Sequence, residues 1–79
     1  MGWRSVIVSQ PARLSLHNRQ LRLEQDGGLE VEVPLEDISI VVLETPQALI
    51  TTALLTAFAE QAIAVLTCDA THHPNGVLL

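Results

Sequence analysis

Apolar residues recur at every second position through three successive runs of the N-terminal half, and two short turn signals separate the runs. Leu14 and Leu16 alternate with Arg13, Ser15 and His17; Leu21 and Leu23 alternate with Gln20, Arg22 and Glu24; Leu29, Val31 and Val33 alternate with Glu30 and Glu32. A period of two marks strands with one face buried and the other in water. A two-residue turn at Asn18-Arg19, with Asn18 tolerating positive φ, sets Leu16 against Leu21 and Leu14 against Leu23 on one side of the sheet. The other side then pairs Arg13 with Glu24 and Ser15 with Arg22. Arg is not a favoured second residue for such a turn. Asp26-Gly27-Gly28 is the next turn. The apolar positions on both strands flanking it are odd-numbered, so a three-residue loop keeps them on one face and a two-residue loop does not. Leu23 then faces Val31, Arg22 faces Glu32, and Glu24 faces Glu30.

Around this meander the pattern changes. Val6, Ile7 and Val8 form a β-branched run after Trp3, closed by Gln10-Pro11. Pro34 ends the meander, and Pro34 to Ile38 reads as a turn. Ile38 to Leu43 is a nearly continuous apolar run, expected where both faces of a strand are buried. Thr45-Pro46 interrupts it, and a helix over about 51–62 follows, capped by Thr51. At 100° per residue Leu54, Leu55, Phe58 and Ala62 share one quadrant, with Thr52, Thr56 and Glu60 opposite. Ala64 to Cys68 is a further buried strand; Asp69 to Gly76 reads as a loop, and Val77-Leu78-Leu79 as the start of another element. Ending on the start of a strand suggests a truncated chain. The expected fold is α+β and mostly β: antiparallel strands in a small two-sheet or sandwich-like domain with one α-helix, a single domain over 1–79.

Seventy-nine residues make one small domain, of a size that buries only about 60–65% of the surface its unfolded chain exposes. Added stabilisation is therefore expected from a partner or a missing segment. Cys68 is the only cysteine, so no intrachain disulfide forms and a reducing, cytoplasmic setting fits. No apolar run approaches the ~20 residues of a membrane helix, and the N-terminus lacks the order of a signal peptide.

A formal charge of −5 argues against a free-standing nucleic-acid binder, because phosphate contacts need clustered cations. Yet Arg4, Arg13, Arg19 and Arg22 all precede Glu24, the first of nine carboxylates, and lysine is absent. The asymmetry means either a positive lip on an acidic body or cross-strand neutralisation. The register favours the second, since it sets Arg13 beside Glu24 and Arg22 beside Glu32.

Few residues offer chemistry. Cys68, Asp69, His72 and His73 are the one cluster with metal-ligand types, but adjacent histidines in an extended loop point apart, and Pro74-Asn75-Gly76 turn chemistry explains the segment without a metal. A metal hydrolase built on these residues would carry metal when purified. No Ser-His-Asp set, glycine-rich phosphate loop or paired carboxylates with a base are present, so on chemistry alone this is not an enzyme. His17, at the tip of the first hairpin with Asn18 and Arg19, is a candidate for a phosphate or a base, with a solvated turn as the plain alternative. Trp3, followed by Arg4, is a candidate for stacking or for interface packing. Arg4, His17, Arg19 and Arg22 are the candidate contacts for a nucleic acid.

The order Trp3-Arg4, Pro11-Ala12-Arg13-Leu14-Ser15-Leu16, Gln20-Leu21, Val33-Pro34-Leu35-Glu36-Asp37-Ile38, Leu43-Glu44-Thr45-Pro46, Leu54-Leu55, Ala59-Glu60, Ile63-Ala64-Val65 and Cys68-Asp69 through His72 to Pro74-Asn75-Gly76 resembles the N-terminal region of the CRISPR-associated protein one (Cas-one) integrases. The likeness spans nearly the whole chain and is greatest to type II systems. It implies an N-terminal β-domain that precedes a larger helical domain. In that helical domain a Glu, His and Asp set binds a divalent metal, magnesium or manganese, and joins spacer DNA to the CRISPR array. The resemblance places all three beyond residue 79, so this chain would carry no catalytic residue, metal ligand or cofactor. It further implies a homodimer, a complex with CRISPR-associated protein two (Cas-two) and duplex DNA as partner. Some relatives wedge the duplex end with an aromatic from this domain. Here there is no Tyr and the only Phe, Phe58, lies on the apolar face of the helix, which leaves Trp3 or His17 for that role. The competing expectation is a stand-alone β-domain that binds a protein partner by edge-strand addition.

Overall fold

The computed structural model describes residues 3–25 and 27–68, and residues 74–78 by their backbone. Strands β1 (Arg4–Val8), β2 (Ala12–His17), β3 (Gln20–Gln25) and β4 (Glu30–Pro34) lead to one 3₁₀ turn over Leu35–Asp37. Then come β5 (Ile38–Leu43), β6 (Ala48–Ile50), helix α1 (Thr52–Glu60), β7 (Ala64–Cys68) and β8 (Pro74–Leu78). Two four-stranded sheets result. The meander sheet runs β4-β3-β2-β6, and a mixed sheet runs β1-β5-β7-β8.

The meander forms in the expected register. Leu16 stands against Leu21, Leu14 against Leu23, Leu23 against Val31, and Arg22 against Glu32. Asn18 and Arg19 both take positive φ, 50° and 60°, the backbone of a two-residue turn whose twist matches its strands. At the next loop the Gln25 N–H donates to the Leu29 carbonyl at 2.8 Å, and Gly27 and Gly28 sit at φ 94° and 89°, where only glycine is unstrained.

The strand directions depart from an all-antiparallel expectation. β1 with β5, β5 with β7, and β2 with β6 are parallel, whereas β2–β3, β3–β4 and β7–β8 are antiparallel. Parallel neighbours require long crossovers. The whole meander is the crossover from β1 to β5, and β6 with α1 is the crossover from β5 to β7. β6 itself is absent from the sequence reading, being only three residues long. Pro74 to Gly76 belong to β8 rather than to a loop; Asp69 to His73 lie outside the described residues.

The two inner faces and the helix share one core. Val8, Leu14, Leu21, Ile38, Val41, Leu54, Phe58, Ile63 and Val65 are essentially inaccessible to solvent. Thr51 caps α1 as expected, its Oγ1 accepting the Leu54 N–H at 3.2 Å. The helix ends earlier than its apolar pattern implied, at Glu60. Ala62 is exposed in a left-handed conformation (φ 58°) instead of on the buried face. Ile63 N–H donates to the Phe58 carbonyl at 2.8 Å and Ala62 N–H to that of Ala59 at 3.2 Å. That pair of bonds satisfies the last carbonyls of the helix and turns the chain into β7. Ala57, not Ala62, completes the buried stripe with Leu54 and Phe58.

Among the described residues no helix is long and apolar enough to cross a membrane.

Candidate nucleic-acid interface

The candidate contacts separate into two groups. Trp3 and Arg4 open β1, and His17 and Arg19 form the tip of the β2–β3 hairpin, yet both sites are pinned to the same 3₁₀ turn. The Leu35 N–H donates to the Arg19 carbonyl at 3.2 Å, and the Trp3 N–H donates to the Asp37 carbonyl at 3.1 Å. Leu35 and Asp37 are two residues apart, so the hairpin tip and the start of β1 meet at one end of the molecule. The turn forms because Pro34 enters it in an extended conformation (φ −58°, ψ 133°) and Leu35 buries beneath it. Sequence reasoning recognised a turn there but not its role as a clamp. The signal available was Pro34 followed by the acidic pair Glu36-Asp37, a pattern typical of a helical start.

At this end the indole of Trp3 stands 77% exposed, and the Arg4 guanidinium lies 5.7 Å from its ring centroid. That is within range of a cation–π contact. The pair presents a flat apolar surface with a fixed charge on it, the combination that a nucleobase or another aromatic group can stack against. His17 and Asn18 are exposed at the hairpin tip, with Asn18 Nδ2 3.3 Å from His17 Nε2. Arg19 is exposed as well. It lines a groove of about 540 Å³ between the hairpin tip, the 3₁₀ turn and the C-terminal end of α1, with Glu36 and Glu60 on the same walls. The positive charge here is therefore local, set within acidic surroundings.

Arg22 belongs elsewhere. It lies on the outer face of the meander sheet, its Nε 3.1 Å from a Glu32 carboxylate oxygen and 3.8 Å from one of Glu30. This is the cross-strand neutralisation the register implied. Arg13 differs: it stands opposite Glu24 in register, yet among the described residues no ion pair joins them. With Arg13 exposed and Glu24 only half-buried, the two long side chains gain little from holding one geometry beside water. Arg4, Arg13 and Arg19 therefore keep their guanidinium groups outside ion pairs among the described residues, and only Arg22 is engaged.

For metal chemistry, no three of His, Cys, Asp and Glu converge among the described residues. Cys68 is a free thiol, half-buried at the end of β7. Asp69, His72 and His73 lie outside the described residues.

The family model described as "CRISPR associated protein Cas1" matches residues 5–79. The chain is 43% identical over 76 residues to the CRISPR-associated endonuclease Cas1 of Neisseria meningitidis serogroup C (strain 8013), a match that takes in 96% of this chain and 25% of that protein. Two solved structures have the same fold. One is a Cas1–DNA complex (TM-score 0.83, 18% identity, 99% of this chain and 29% of that one). The other is a chain of a partial Cas6-RT-Cas1–Cas2 complex (TM-score 0.83, 19% identity, 98% and 23%). The chain thus spans about a quarter of the length of the curated relative it matches.

Proposed function

The chain belongs to the Cas1 family of CRISPR-associated proteins, and from that premise we propose that it is the N-terminal dimerisation and DNA-positioning domain of a type II-like CRISPR adaptation integrase, which inserts spacer DNA into the CRISPR array in antiviral defence. The observation that carries the reading is the match of the Cas1 family model over residues 5–79, at 43% identity to a named Cas1 endonuclease. Within that enzyme the domain assembles and orients. Cutting and joining belong to a helical domain whose Glu, His and Asp bind magnesium or manganese. Among the described residues of this chain no set of ligands fits such a metal, so no catalytic step is assigned to them.

The partners follow from the same reading: a second copy of the chain, Cas2, and duplex DNA, in the cytoplasm. The relatives' structures support these, since one is a complex with DNA and another a complex with Cas2. DNA is met at the end built around the 3₁₀ turn. Arg19 at the hairpin tip and Arg4 at the start of β1 supply charge for phosphates, His17 a further polar contact, and Trp3 a stacking surface for the end of the duplex. Arg22, held by Glu32, contributes less. A chain of net charge −5 cannot hold DNA by its overall field, so the domain aligns a duplex that the rest of the enzyme binds.

In the intact enzyme, Arg4→Ala and Arg19→Ala each weaken duplex binding and flatten its salt dependence by about 0.9 in log–log slope, the value for one lost phosphate contact on duplex DNA. Affinity measured against salt concentration checks this. An unchanged slope in both variants removes the DNA-positioning half of the proposal, and light scattering that finds a monomer at high micromolar concentration removes the dimerisation half.

A further inference from the structure

The meander sheet ends in an open edge. Among the described residues β4 pairs with β3 on one side and with no strand on the other. Two bonds at the ends of that pairing fix which backbone groups stay free. Gln25 N–H donates to the Leu29 carbonyl at 2.8 Å and Leu35 N–H to that of Arg19 at 3.2 Å, in the register that sets Leu23 against Val31 and Leu21 against Val33. Hydrogen-bonded pairs alternate along an antiparallel ladder, so Val31 and Val33 turn their backbone groups to β3, and Glu30 and Glu32 turn theirs to the open edge. Pro34 has no N–H and closes the edge at that end. The side chains alternate too. Glu30 and Glu32 lie on the outer face, where Arg22 reaches both. Leu29 and Val31 lie on the core side with Leu23 and Val33, yet are 55% and 43% exposed.

We infer that the β4 edge takes up, as an antiparallel strand, an extended segment of a partner protein in which basic and apolar residues alternate. This adds a protein partner to the proposed function and stands whether or not the domain positions DNA. The added strand bonds to the free backbone groups of Glu30 and Glu32 and lays its side chains beside those of β4 on both faces. Residues beside Glu30 and Glu32 meet two carboxylates and the one guanidinium of Arg22, an excess of negative charge, so Lys or Arg is favoured there. Residues between them meet Leu29, Val31 and Val33 and gain by covering apolar surface. Charge on an edge strand ordinarily keeps it from pairing, but here it is of one sign and excludes only strands of that sign. A second copy is among those excluded. The free groups of both edges belong to Glu30 and Glu32, so antiparallel pairing of two β4 strands sets glutamate opposite glutamate in every register that uses them. Nucleic acid is repelled by the same carboxylates.

The test titrates the protein with a capped peptide of alternating lysine and valine, a little longer than β4, and follows amide exchange. At a peptide concentration about ten times the dissociation constant, exchange of the Glu30 and Glu32 amides slows about tenfold, because they exchange only in the unbound fraction. Methylation of the peptide's lysine amide nitrogens, which face β4 when lysine stands opposite glutamate, abolishes binding. Methylation of its valine amides leaves binding within a few-fold. Replacing both glutamates, Glu30→Lys with Glu32→Lys, weakens binding about tenfold and transfers the preference to a peptide of alternating glutamate and valine. A peptide that binds equally well with its lysine amides methylated is held by charge alone, and one that binds without protecting Glu30 and Glu32 sits elsewhere. Either result overturns the inference, as does the absence of binding at millimolar peptide. Protection of the same two amides that grows with protein concentration, without peptide, gives the edge to a second copy and overturns it too.

Discussion

The meander sheet and the mixed sheet enclose the same core but turn opposite chemistry outward. The outer face of the first carries Arg13, Ser15, Arg22, Glu24, Glu30 and Glu32, and that of the second carries Ile7, Ile40, Val42 and Leu66. In the meander every inward leucine is separated by a polar residue, so the sheet is complete once its inner face is covered. Strands β5 and β7 of the mixed sheet are apolar on both faces, and among the described residues only one face lies against the core. Apolar alternation thus identifies a sheet whose outer face is polar, and apolar continuity one whose outer face stays apolar.

If both inner faces feed one core, Leu14→Ala in the meander sheet and Ile38→Ala in the mixed sheet each cost about 2–5 kcal/mol. Both then shift the same single denaturant transition. Two transitions, only one of them moved by each change, would show that the sheets are separate units. A smaller effect is expected at the junction between the sheets. Thr51 closes β6 by donating its N–H to the Leu14 carbonyl at 3.2 Å and caps α1 with its side chain. Thr51→Ala lowers stability by about 1 kcal/mol, measured by urea unfolding. Stability unmoved by this change would mean that water replaces the cap without loss.

Relieving backbone strain at the first meander turn and just after the helix raises stability instead of lowering it. Ala62→Gly, at the left-handed residue after α1, raises stability by about 0.5–1 kcal/mol. Arg19→Gly does the same for the hairpin by about 0.5 kcal/mol while losing the DNA contact proposed for Arg19, so stability and duplex affinity move in opposite directions. A variant that improves both would show that Arg19 is a turn residue only. The smallest effect belongs to the charged outer face: Arg22→Ala costs about 0.5 kcal/mol or less, since Arg22 and its carboxylate partners are all partly exposed. It leaves self-association unchanged. A weakened dimer in Arg22→Ala would place the meander face in the interface.

Much of the candidate site was legible only in pieces. His17, Arg19, Trp3 and Arg4 were identifiable as exposed polar or aromatic residues at turn and strand ends, and their types suggested contacts. That the hairpin tip and the start of β1 share one end of the molecule was not legible, because it depends on two backbone hydrogen bonds to Leu35 and Asp37 made across the fold. Arg13 shows the reverse limit, since register placed it beside Glu24 and implied neutralisation, yet among the described residues no ion pair joins them. Ala62 lay on the apolar quadrant of an ideal helix, but the chain left the helix two residues earlier to send Ile63 into the core.

The sequence by itself determined the meander: strand boundaries, both turns, the pairing of Leu14 with Leu23 and of Leu23 with Val31, and the neutralisation of Arg22. Those features are local, and a one-residue slip would carry every leucine to the wrong face, so parity admits a single register. Only the tertiary structure decided that β1 lies parallel to β5, β5 to β7 and the three-residue β6 to β2. Such neighbours are far apart in sequence, and they are selected by which buried faces fit together after the intervening chain has closed. A period of two states that a strand has an inside and an outside; it does not state which strand lies next to it.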